Sequence, residues 1–257
     1  MKDKKIILLS GKRGISTNIV FNSLNDEFGI YVAIIEDSVS RKKLIRGRIK
    51  RLGFFKVVGQ LVFLLCISPL LGYQSKNRQQ EIIDANVMNT KSIPKEKRIN
   101  VSSVNSTQTI DLLININPDL IIVYGTRIIS KSVLESVQCK FINIHAGITP
   151  KYRGAHGTYW ALVNNDLQNS GVTIHFIDKG IDTGSIIYQD NVIPTQKDNF
   201  TTYPLLQLAK GLKLLNQSVI DYFNQSITIK KSEIESRLWY HPTVFQYLYF
   251  RIKNKVK

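Results

Sequence analysis

Short, continuous apolar runs recur along the chain, each followed by a stretch with helical spacing. Ile6–Ser10 is the first run and reads as a strand buried on both faces. A glycine-bearing turn, Gly11 to Thr17, follows, and then a helical pattern through Leu24. Strand, glycine turn and helix open a Rossmann-like unit. Residues 31–35 predict a second strand, ending at the acids Glu36 and Asp37, and 100–104 a short third one. A helix over 109–116 is stopped by Asn117-Pro118. Leu120–Tyr124 and 140–144 are further strands, with short helices at 131–136 and 157–165. Two late strands, 172–177 and 185–192, flank a turn rich in Asp and Gly, and a helical stripe covers 204–223. The alternation predicts an α/β fold with a mostly parallel central sheet and flanking helices. No internal repeat is visible.

One segment departs from this rhythm. Residues 41–51 carry seven cations in eleven positions, and 53–73 are then almost wholly apolar, broken by Lys56, Gln60 and Pro69. A membrane-spanning helix needs ~20 apolar residues, and these breaks argue against one. A packed helix–turn is the preferred reading. An interfacial helix whose basic flank meets anionic lipid is the second.

Charge narrows the partners. The chain of 257 residues carries a formal charge of +16, which calls for an anionic substrate, RNA or surface. Its length predicts one domain, 1–226, with an insertion at about 38–89 and a basic tail, 227–257, packed on the core. Two distant cysteines, Cys66 and Cys139, suit neither a disulfide framework nor a zinc site, and fit a reducing cytoplasm. The first ten residues have a strand's pattern rather than a signal peptide's.

The chemistry lies in 141–184. Asn143 and His145 sit two apart at a strand end, so their side chains point the same way. Asp182 arrives from the Asp/Gly turn. An amide donor, an imidazole and a carboxylate together can hold an oxyanion and move a proton while an amine attacks an acyl carbon. Asp182 is expected to raise the His145 pKa and keep the ring charged. Gly11, Lys12, Arg13 and Gly14 offer backbone amides and cations for a phosphate. His156, beyond Tyr152-Arg153-Gly154, reads either as a residue at or just behind the substrate or as a structural histidine; His175 and His241 read as packing.

The blocks Asp119-Leu-Ile-Ile-Val-Tyr-Gly125, Asn143-Ile-His145, Tyr152-Arg-Gly154 and Asp178-Lys-Gly-Ile-Asp182-Thr-Gly184 stand in an order and at distances that resemble the N10-formyltetrahydrofolate-dependent formyltransferases. That resemblance implies a Rossmann-like formyltransferase fold and catalysis by Asn143, His145 and Asp182. It implies N10-formyltetrahydrofolate as co-substrate and no metal. The folate walls fall on Thr126, Arg127, Ile128, Ile129 and Leu134, closed by Asp178, Gly180 and Ile181. Gly11, Lys12, Arg13, Tyr152, Arg153 and His156 are left for the acceptor substrate.

Three acceptors compete. The methionyl-tRNA enzymes carry an extra C-terminal domain, for which about 55 residues after Thr202 leave little room. The glycinamide ribonucleotide enzymes have a Gly-x-Gly-Ser-Asn turn where this chain has Gly11-Lys-Arg-Gly14-Ile-Ser, and lack the insertion. A third group formylates nucleotide-linked amino sugars for surface polysaccharide, and its size and motifs fit best. A folate-binding relative without catalysis is disfavoured by the three acid–base residues. The expected setting is cytoplasmic, with a peripheral membrane contact through 41–73 as the second reading. RNA is the less favoured partner, and a homodimer remains open.

Overall fold

The computed structural model describes every residue except Met1, Lys2, Lys12, Arg13, Val39, Lys231 and Glu233, and leaves the side chains of Arg41 and Lys43 undescribed. Lys12 and Arg13, proposed from sequence for the acceptor, therefore lie outside the described residues.

The chain alternates as β1 (Ile6–Ser10), α1 (Ile15–Phe28), β2 (Val32–Glu36), α2 (Arg41–Leu52), α3 (Phe54–Val62), α4 (Ser68–Gln74), α5 (Lys76–Ala85) and β3 (Arg98–Val101). It continues as α6 (Thr107–Ile116), β4 (Leu120–Tyr124), α7 (Lys131–Leu134), β5 (Lys140–His145), β6 (Arg153–Gly154), α8 (Gly157–Val163), β7 (Gly171–Phe176) and β8 (Ile186–Asn191), then α9 (Tyr203–Phe223), β9 (Leu238–Trp239) and α10 (Val244–Lys253). Seven strands form one sheet in the order β3-β2-β1-β4-β5-β7-β8. The first five run parallel, while β7 and β8 are antiparallel additions beside β5. Strand order reverses between β1 and β4, where open parallel sheets hold their ligands.

Burial on both faces explains the continuous apolar strands. Ile6 and Leu8 face a layer containing α1, α5 and α9, whereas Ile7 and Leu9 face α6 and α7. Truncating such a residue costs ~2–5 kcal/mol. Helix α1 runs past the expected Leu24 to Phe28, because Gly29 (φ 76) supplies the left-handed cap that ends it. Strand β3 begins earlier than expected, at Arg98, and ends at Val101, after which the Val104 N–H turns to the Glu36 carboxylate.

The basic and apolar segment is helical throughout, and its expected break is absent. Helices α3 and α4 are joined by a π-helical turn, Phe63–Ile67, into a run of 21 residues, Phe54–Gln74. Pro69 does not stop the run, because it falls in the first turn of α4, where its missing N–H is tolerated. Gln60 points inward and donates to the His241 carbonyl at 2.7 Å. Only one face packs: Phe63 and Leu71 join Tyr159, Trp160, Phe200 and Tyr247 in a third, aromatic-rich cluster. The tail packs there too, as β9 pairs with β6 and Trp239 stacks on Tyr152 and Trp160.

Candidate active site

At the sheet's switch point, the carboxyl ends of β1, β4 and β5 open into a cleft of about 560 Å³. That is the size range of small-molecule sites. One end is lined by Gly11, Gly14 and the first residues of α1, whose N-terminus has no side-chain cap. Gly11 serves close approach: a Cβ there would meet the Gly125 carbonyl at 1.8 Å. The flanks are Gly125, Thr126, Arg127, Ile128 and Ile129 on one side and Ile177, Asp178, Gly180 and Ile181 on the other.

Asn143, His145, His175 and Asp182 meet between those walls. Asn143 and His145 alternate on β5 and both line the cleft, as their spacing predicts. Asp182 Oδ2 lies 3.3 Å from His145 Nδ1 and accepts the Gly154 N–H at 3.0 Å. Its backbone is left-handed, at φ 50, a conformation that Asp tolerates better than bulky residues do. The loop leading to it is built by Asp178, which accepts from the Gly180 N–H and the Thr183 hydroxyl. Arg153 pins the loop by donating to the Ile181 carbonyl at 2.8 Å.

His145 Nε2 sits 2.9 Å from the Tyr152 carbonyl, which can only accept, so this nitrogen carries a proton. Gly147 makes the approach possible: a Cβ there would lie 2.3 Å from that carbonyl and 2.9 Å from His145 Nε2. Both ring nitrogens thus face acceptors, an arrangement that favours imidazolium. Burial nevertheless wins and lowers the His145 pKa, with Asp182 and the Tyr152 carbonyl opposing it. The expectation that Asp182 keeps the resting ring charged is therefore corrected: desolvation outweighs one carboxylate, and the resting imidazole is neutral. Burial pushes Asp182 upward, but the His145 and His175 rings and the Gly154 N–H outweigh it and bring the carboxyl down to about 2.

His175 was read from sequence as packing and instead belongs to the site. It opposes Asn143 directly in the β5–β7 pairing. No local motif marks it; the signal would have been an antiparallel register.

The other sequence-proposed residues divide. Thr126, Arg127, Ile128, Ile129, Asp178, Gly180, Ile181 and Gly11 line the cleft. The Arg127 guanidinium, however, is paired with Glu36, whose other oxygen accepts the Arg127 N–H at 2.9 Å, so its side chain anchors the loop. Leu134 packs in the core under the sheet rather than on the cleft wall. Tyr152 is buried, and its hydroxyl donates to Asp166 at 2.8 Å; it reaches the site only through its carbonyl. Arg153 lies behind the Asp182 loop. His156 lies away from the cleft, 2.8 Å from His241 and against Phe200, because its left-handed backbone (φ 60) turns it into the aromatic cluster. Burial lowers both His156 and His241, so this pair is neutral.

The profile of the formyl transferase family matches residues 50–219, from the end of α2 to most of α9, and includes the blocks that carry Asn143, His145 and Asp182. The chain belongs to this family. Its members transfer formyl groups and draw them from N10-formyltetrahydrofolate. The described cleft of this formyl transferase family member fits such a donor: apolar isoleucines face one another across it, and the 125–129 loop offers backbone groups along one edge. Methionyl-tRNA formyltransferase from Finegoldia magna is 36% identical over 129 residues, covering 48% of this chain and 40% of that protein. The chain thus spans about two-fifths of that relative's length. A sugar N-formyltransferase from a Shewanella species shares the fold with a TM-score of 0.56 and 14% identity, covering 91% of this chain and 76% of the other. WlaRD, a sugar 3N-formyltransferase solved with dTDP and 5-N-formyl-THF, has a TM-score of 0.51 and 21% identity, covering 92% and 69%.

Proposed function

We propose that this chain transfers the formyl group of N10-formyltetrahydrofolate to the amino group of a nucleotide-linked amino sugar, in the cytoplasm and for surface polysaccharide. The observation that carries formyl transfer is the convergence of Asn143, His145 and Asp182 between the two apolar walls. The folate supplies the formyl group. Asn143 donates one amide hydrogen to His175, and its second is available to the formyl oxygen as negative charge grows there. The attacking amine must lose a proton as its nitrogen bonds to the formyl carbon. The neutral His145, backed by Asp182, accepts it, and the imidazolium then has two acceptors, Asp182 and the Tyr152 carbonyl, already in place. The bond from the folate nitrogen to the formyl carbon breaks, and that nitrogen regains the proton.

The acceptor reading rests on the uncapped start of α1 at one end of the cleft, a position suited to phosphate, and on the charge of +16. It is also supported by the likeness to WlaRD, solved with dTDP. The second reading is methionyl-tRNA, favoured by the identity to the Finegoldia magna enzyme. The deciding experiment is product mass spectrometry after incubating the protein and formyl donor with amino-sugar nucleotides, glycinamide ribonucleotide and methionyl-tRNA in parallel. A formamido sugar nucleotide as the fastest product supports the proposal. Faster formylation of either other acceptor overturns the sugar reading, and no formylation of any overturns the catalytic one.

A further inference from the structure

We propose that helices α3, α4 and α10 form an interfacial surface that lies in the plane of an anionic bilayer. Phe54–Gln74 is long and apolar enough to cross a membrane, yet only 28% of its apolar window is buried. The unburied part is ordered. Phe55, Val58, Val62, Leu65 and Tyr73 are exposed, and the first four follow helical spacings of three and four, so they form one stripe. Phe55 alone is 88% exposed. The opposite face is fixed to the protein: Val57, Phe63 and Leu71 are buried, Gly59 abuts Thr243, and Gln60 is bound to the His241 carbonyl. A helix so held cannot span while the fold persists, but it can lie along an interface.

A second stripe joins it. Phe245, Leu248 and Ile252 are exposed along one side of α10, with Ile252 at 82%. Phe55, Val58 and Val62 of α3 share an apolar groove with Val244 and Phe245 of α10, so the stripes are neighbours. Contiguous exposed apolar surface of this kind marks an interaction site.

Charge decides the occupant. Lys42, Arg46, Lys50 and Arg51 are exposed on α2, which packs on α3 through the turn at Gly53. None of the four enters an ion pair among the described residues. Lys56 flanks Phe55, and Arg251 and Lys253 flank Ile252. Apolar stripes with cations at their flanks match the acyl boundary and headgroups of an anionic leaflet. A second copy of this chain would bring like charges together instead.

The test is flotation of the 257-residue protein with neutral phosphatidylcholine vesicles and with vesicles containing phosphatidylglycerol, at physiological salt. The expected result is flotation with anionic vesicles only. Binding should fall at least ten-fold in Phe55→Ser/Leu65→Ser/Phe245→Ser, and again in Lys42→Ser/Arg46→Ser/Lys50→Ser/Arg51→Ser. All seven side chains are exposed and outside the cleft, so circular dichroism and turnover with soluble substrates should not change. Absence of flotation, or flotation of both variants like the parent, overturns the proposal. So does conversion of a dimer to a monomer by the apolar variant with unchanged vesicle binding, which would assign the surface to a second copy.

Discussion

Asn143 and His175 are direct cross-strand partners, with the amide nitrogen of one 3.0 Å from Nε2 of the other. His175 Nδ1 lies 2.7 Å from the Phe176 carbonyl and therefore bears the proton, so Nε2 accepts from the amide. This fixes which end of the Asn143 side chain faces the cleft. His175→Ala should lower kcat about 10–100-fold, equivalent to one buried hydrogen bond of ~1–3 kcal/mol, with little change in folate KM. Steady-state kinetics check it. An unchanged kcat would show that Asn143 needs no orienting partner.

Activity should stay level through the ordinary histidine range and decline only at lower pH, because burial lowers the His145 pKa and the neutral ring is the proposed proton acceptor. Removing the carboxylate in Asp182→Asn takes away an interaction that raises that pKa, so the acid limb should move further down while turnover falls by orders of magnitude. Imidazole NMR titration of the two proteins reads the shift directly.

The same carboxylate contributes to stability. Its pKa is held at about 2, below the unfolded value near 4, so its contribution is present above about pH 4 and is lost as pH falls through 2. In urea unfolding wild type should be more stable than Asp182→Asn at pH 7, and the difference should close in strong acid. A constant difference across the range would contradict it.

Gly147→Ala places a methyl against the Tyr152 carbonyl and His145 Nε2. Overpacking of this kind costs ~1–3 kcal/mol. Turnover should fall by at least ten-fold even where the protein stays folded, since the carbonyl that accepts the His145 Nε2 hydrogen bond is displaced. Thermal unfolding and kinetics on one preparation separate the two effects.

Glu36 is buried and receives the N–H groups of Arg127 and Val104 besides the Arg127 side chain. Breaking a buried pair costs ~3–5 kcal/mol. Glu36→Ala should destabilise the fold by that order and raise the folate KM, because the 125–129 loop loses its anchor. Glu36→Asp, which keeps the charge, should recover part of both losses.

The local parts of this site were legible, and the long-range parts were not. Asn143 and His145 lie two apart on a strand whose apolar pattern is plain, and Asp182 lies in a turn with its own signature. His175 is 32 residues from Asn143, and its alternation on β7 fits a packing role until the antiparallel register is known. The Tyr152-Arg153-Gly154 motif and the nearby His156 suggest acceptor contacts, yet a buried hydroxyl, a loop contact and a left-handed residue direct these side chains elsewhere. In Phe54–Gln74 nearly every residue is apolar, so the stripe left facing outward has no polar contrast to reveal it.

The seat of Asp182 has an implication for how the protein is made. Gly154, which holds the carboxylate, is flanked by Arg153 and Ala155, whose N–H groups donate to the Arg237 and Trp239 carbonyls. All seven strands of the main sheet leave the ribosome before that brace does. At ~5–20 residues per second, the nascent chain spends a few seconds with its sheet available but its acid unbraced. The proposed site therefore depends on a segment made late, and a ribosome stalled ahead of residue 237 would present a chain whose Asp182 seat lacks its brace.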